Sequence, residues 1–141
     1  MINKIHLNLC DKVNKQHKLK IIRITPALIF VCFISWVIFQ ANVGSSNIIF
    51  ELVNFIPYGD KVSHFILYGT LSVLTVIALN YRCVKVNHYS LPVGAILVLL
   101  IAIGEEITQL FISNRTFELA DICADIAGIV VFLYWFNKRK I

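Results

Sequence analysis

Residues 91–136 read LPVGAILVLLIAIGEEITQLFISNRTFELADICADIAGIVVFLYWF, two long apolar runs joined by one short polar turn. Each run is close to the roughly 20 residues that a helix needs to cross a hydrocarbon core. The turn, Ser113-Asn114-Arg115-Thr116, is tight enough to make the two helices antiparallel neighbours. Carboxylates interrupt both runs. Glu105 and Glu106 lie near the end of the first, and Asp121 and Asp125 near the start of the second. Ionisable groups at membrane depth are costly and normally face a partner, a water-filled cavity or a working site. If the first run leaves the hydrocarbon near Ile112, Glu106 lies about 9 Å below that boundary, and Asp125 lies about 12 Å deep if its helix enters near Phe117. Carboxylate stems are too short to snorkel from there.

Two further apolar runs precede this pair, at about 24–43 and 62–81. The chain has 141 residues, 58% of them hydrophobic and 15% charged, with mean hydropathy +0.77. Soluble domains carry nearer a quarter charged residues. Four crossings use most of the length and leave no room for a separate soluble catalytic domain. Residues 1–23 form a basic segment, 24–136 one transmembrane domain, and 137–141 a basic tail. A basic segment before an apolar run also fits a signal peptide, but the run exceeds a usual signal core, so an uncleaved span is expected.

Eleven of the thirteen Lys and Arg residues fall in the N-terminal segment, the Arg82–Tyr89 connector and the C-terminal tail. The positive-inside rule places those segments in the cytoplasm. The expected fold is therefore all-α, a four-helix transmembrane bundle with both termini cytoplasmic and spans at about 24–43, 62–81, 91–112 and 117–136. The net charge of +5 reflects this bias and needs no nucleic acid to explain it. Within the connectors, Ile48–Ile56 reads as a short interfacial helix and Arg82–Tyr89 as a polar loop. Pro26 is expected in the first turn of the first span, and Asp60 and Ser90 are candidate N-caps. Cys10, Cys32, Cys83 and Cys123 are widely spaced and predict no disulfide. Ala120, Ala124 and Gly128 recur at four-residue spacing, which suits close helix packing within the monomer or, less favoured, a homo-oligomer face.

The polar residues of the spans form a pattern. Asp60, His64 and Tyr68 are spaced by four and share one helix face. Gln109 follows Glu105 and Glu106 by four and three, and Asp121 and Asp125 are again four apart. The topology brings all of them to the outer side. Three chemistries fit: acid–base work on a head group, with Glu106 or His64 moving a proton and Arg115 holding a phosphate; a metal site using His64 with carboxylates; or non-catalytic binding of an amphiphile. The metal option is the weakest, because its ligands would come from separate helices without a recognised motif. No metal and no cofactor are assigned. No G-x-S-x-G, H-E-x-x-H or P-loop is present.

The stretch Asp60-Lys61-Val62-Ser63-His64-Phe65-Ile66-Leu67-Tyr68 resembles the D-K-x-x-H-F-x-x-Y signature of the VanZ-like membrane protein family. Glu106, Gln109, Arg115, Glu118, Asp121, Asp125 and Gly128 resemble its second half, E-x-x-Q…R…D…D-x-x-x-N-x-x-G. Asp125 stands where the family usually has Asn, Glu118 where Asp is common, and Phe132 near a common Gly. The resemblance implies an integral membrane protein of the bacterial envelope, in a family named after a protein associated with teicoplanin resistance. It points to Asp60, His64, Glu106, Gln109, Arg115, Asp121 and Asp125 as functional positions. The site expected here has His64 and Glu106 as proton-handling residues. Asp60, Lys61, Tyr68, Glu105, Gln109, Arg115, Asp121 and Asp125 complete it around a lipid head group, lipid-linked precursor or lipoglycopeptide. A structural subunit, whose polar groups only lock helices together, is the alternative.

Overall fold

The computed structural model describes residues 2–44, 51, 53 and 55–139, with the side chains of Gln16 and of the residues from Lys18 onward. Four helices and one hairpin make up the described chain. Helix α1 spans Ile2–Val43, α2 Gly59–Ala78, α3 Val93–Gln109 and α4 Leu119–Lys138, with β1 (Cys83–Val86) and β2 (Tyr89–Pro92) between α2 and α3. The short interfacial helix expected over 48–56 lies largely outside the described residues.

Three helical stretches are long and apolar enough to cross a membrane: Lys18–Val43, Gly59–Ala78 and Leu119–Lys138. Helix α3 has 17 residues, about 26 Å at 1.5 Å per residue, a little short of the roughly 30 Å core. Many bulky apolar side chains point away from the protein, among them Leu28, Ile29, Phe39, Leu100, Val130 and Tyr134. Such a surface is unfavourable in water and suited to lipid.

The structure corrects several local expectations. Helix α1 is 42 residues long, about 63 Å, so it runs well past any bilayer and through the boundary placed at residue 23. Pro26 therefore lies deep inside α1 rather than in its first turn. Its ring nitrogen cannot donate to the Ile22 carbonyl, and beside it Thr25 Oγ1 donates to the Ile21 carbonyl at 2.9 Å. Helix α2 starts and ends three residues earlier than expected. Its N-cap is Tyr58, in the left-handed conformation at φ 58, and Asp60 sits in the first turn instead. An acid there complements the helix dipole without capping.

The Arg82–Tyr89 connector is not a simple loop. Cys83 pairs with Pro92, Lys85 with Ser90 and Val86 with Tyr89 in an antiparallel hairpin. Asn87 takes φ 53 at the first central position of its two-residue turn, the conformation that tight hairpins require. Ser90 is therefore a strand residue, and Pro92 (φ −62, ψ 127) is the N-cap of α3.

Helix α2 lies at the centre and touches the other three helices, most extensively α4. The approach of α4 depends on Gly128, where an added Cβ would overlap the Phe65 carbonyl of α2. Ala120 is exposed and Ala124 half-buried, so the one wholly packed member of the small-residue row works inside the monomer. Phe132 meets Phe65 edge-on at 5.7 Å. The apolar core joins Ile34 of α1, Tyr68 and Leu71 of α2, Val98 and Ala102 of α3, and Ile129 of α4. Cys32, Cys83 and Cys123 are free thiols.

The two ends of the bundle differ chemically. At the hairpin end, Arg23 Nη1 donates to Asn80 Oδ1 at 2.6 Å and Tyr81 stacks on Phe136 at 6.3 Å. At the opposite end, Asn114 Nδ2 donates to the Asn42 carbonyl at 3.2 Å, tying the turn before α4 to the end of α1. The carboxylates collect at this second end.

Candidate functional site

Helix geometry delivers one face of α2, the last turn of α3 and the first two turns of α4 to a single space. His64 is its centre. His64 Nδ1 lies 3.1 Å from Asp125 Oδ1 across the α2–α4 interface. Its Nε2 faces the other way, 4.0 Å from Asp60 Oδ1 and 4.0 Å from Glu106 Oε1. Tyr68, one turn on, stacks against the imidazole at 5.9 Å. A carboxylate on Nδ1 fixes the tautomer and leaves Nε2 to exchange a proton or bind a ligand.

On α3, Gln109 Nε2 donates to Glu105 Oε1 at 3.0 Å and to Glu106 Oε1 at 2.8 Å. The Glu118 backbone N–H reaches Glu106 Oε2 at 3.4 Å. Arg115 Nη2 stands 3.7 Å from Glu105 Oε1. A second cluster ties α2 to the start of α4, with Lys61 Nζ 3.4 Å from Asp60 Oδ2, 3.0 Å from Asp121 Oδ1 and hydrogen-bonded to Glu118 Oε2.

All ten residues singled out in the sequence meet in these linked clusters or stack on them. Glu106 and Asp125 are fully buried (0%), and His64 is 8% exposed. Lys61, expected to hold an anion, already faces three carboxylates. Arg115 faces only Glu105 among the described ion pairs. Glu118, absent from the site expected from the sequence, contacts both clusters. Its place in the E-x-x-Q…R-x-x-E pattern is the signal that marks it.

Between α1 and this polar face lies a cavity of about 680 Å³. Its floor includes Asp60, His64, Glu105, Gln109 and Arg115, and its opposite wall is Phe33, Ile34, Val37 and Ile38 of α1. No motif marks the α1 wall, because its apolar residues look like those of any span. The cavity offers an apolar surface beside a charged one, with a histidine held in one orientation between them.

A family model described as VanZ/LLP1 matches residues 7–137. No curated protein and no solved structure matches the chain. The match takes in α2, α3, nearly all of α1 and α4, and every residue of the polar site, and the chain belongs to the VanZ/LLP1 family.

Proposed function

We propose that the protein binds, and in one form of the reading modifies, an amphiphilic component of the bacterial envelope. It does so as a multi-pass protein of the cytoplasmic membrane. The basic hairpin end faces the cytoplasm under the positive-inside rule, which turns the carboxylate end outward. The observation that carries the reading is the two-sided cavity: an acyl or isoprenoid chain fits the α1 wall while a polar head meets Arg115, His64 and Glu105. Arg115 is the anion-binding candidate, since Lys61 is engaged by Asp60, Glu118 and Asp121. His64, steadied by Asp125, and Glu106 are the proton-handling pair.

The Lys61 cluster favours a second reading, in which the polar residues serve only to lock α2 to α4. Thermal melts separate the two. Short-chain phosphatidylglycerol, as the anionic probe, raises the wild-type melting temperature under the binding reading. The Arg115→Gln and Glu106→Gln variants then lose that increase while melting near the wild-type value without lipid. Under the locking reading the variants melt lower whether or not lipid is added, and the lipid response is unchanged.

A further inference from the structure

We infer that the His64 cluster is a binding site for one divalent transition-metal ion of the Zn²⁺ or Mn²⁺ class, held by His64 Nε2, Glu106 and Glu105. The inference does not depend on an amphiphile entering the cavity. His64, Glu105 and Glu106 each offer a ligand atom, and these atoms lie within 4.8 Å of one another. Glu106 Oε1 stands 4.0 Å from Nε2, a gap that two bonds of about 2.1 Å to one ion would bridge.

A second observation points the same way. Glu105 Oε2, on a side chain only 8% exposed, has no hydrogen-bond partner, and neither has Oδ2 of the fully buried Asp125. Buried polar atoms are nearly always satisfied, so orphaned carboxylate oxygens in a low-dielectric site call for a cation. The protein's own cations do not supply it. Lys61 is taken up at the α2–α4 edge, and Arg115 reaches Glu105 through Oε1. Asp125 on Nδ1 is the support that metal-bound histidines normally have, setting the ring so that the other nitrogen meets the ion. One imidazole with two carboxylates suits Zn²⁺ or Mn²⁺ better than a soft metal such as Cu⁺.

The test uses the full-length, tag-free protein in detergent, stripped with a chelator and dialysed against Zn²⁺ or Mn²⁺ alone, with bound metal counted per chain. The expected result is one ion per chain. Glu106→Gln and His64→Gln abolish binding. Asp125→Asn, which changes no ligand, weakens it roughly 10- to 100-fold. His88→Asn, in the hairpin turn, leaves it unchanged. Glu105→Gln keeps the side chain's size and its acceptor for Gln109, and lowers affinity at least about tenfold. That variant decides the matter if His64→Gln does not fold. Substoichiometric metal on the wild type, or affinity unchanged in both Glu105→Gln and Glu106→Gln, overturns the inference.

Discussion

Replacing Lys61 with Met removes the cation that, among the described residues, sits between the starts of α2 and α4, and leaves three carboxylates facing one another. Their costs are unequal. Asp60 and Glu118 are 54% and 45% exposed, so water takes over their solvation and each loses about 0–1 kcal/mol. Asp121 is 4% exposed, and stripping a buried carboxylate of its partner costs about 3–5 kcal/mol. Lys61 is itself 25% exposed, and the site sits at the end of the bundle, so the lower part of that range applies. We expect about 3–4 kcal/mol in total. For a chain of this length that corresponds to a drop of about 9–16 °C in melting temperature. The assay is thermal unfolding in mild detergent, followed by tryptophan fluorescence. Lys61→Met/Asp121→Asn removes the orphaned charge and recovers more than half of the loss. A single variant that melts with the wild type, or a double variant at least as unstable as the single, would refute the reasoning.

Other outcomes follow from the same contacts. Asp125→Asn keeps an acceptor for His64 and costs under about 1 kcal/mol, whereas Asp125→Leu loses a buried charged hydrogen bond worth about 1.5–3 kcal/mol; chemical denaturation of the pair measures the difference. Gly128→Val drives a side chain into the Phe65 backbone, costs about 3 kcal/mol or more, and lowers the yield of monodisperse protein on size exclusion. Reporter fusions in the Ser113–Thr116 turn are active outside the cytoplasm, and fusions at Asn87-His88 are active inside it; the reverse pattern contradicts the orientation.

The spans were legible because a bilayer imposes a length and a hydropathy that composition alone satisfies. The site was legible for the converse reason: Glu106 and Asp125 are expensive where they sit, and four-residue spacing puts Asp60, His64 and Tyr68 on one face. What the sequence concealed depends on tertiary context or on signals too short to stand out. Four-residue strands in a polar connector hide the hairpin, although Val84 and Val86 alternate around an Asn87-His88 turn. The left-handed Tyr58 displaces Asp60 from the cap because Gly59 packs against the preceding segment. Nothing breaks the helix between the basic N-terminal segment and the first span, so polarity marked a boundary that the backbone ignores. Phe33 and Val37 become a wall of the cavity only because α1 packs beside the polar end of α2.

The account rests on one cavity holding an amphiphile by both of its ends. Native mass spectrometry of protein released gently from its own membranes tests this most directly. We predict a discrete amphiphile bound at one per chain to the wild type. His64→Asn and Arg115→Gln should lose it while still accumulating as folded protein. Wild-type chains without a bound species, or variants that retain it undiminished, would contradict the account.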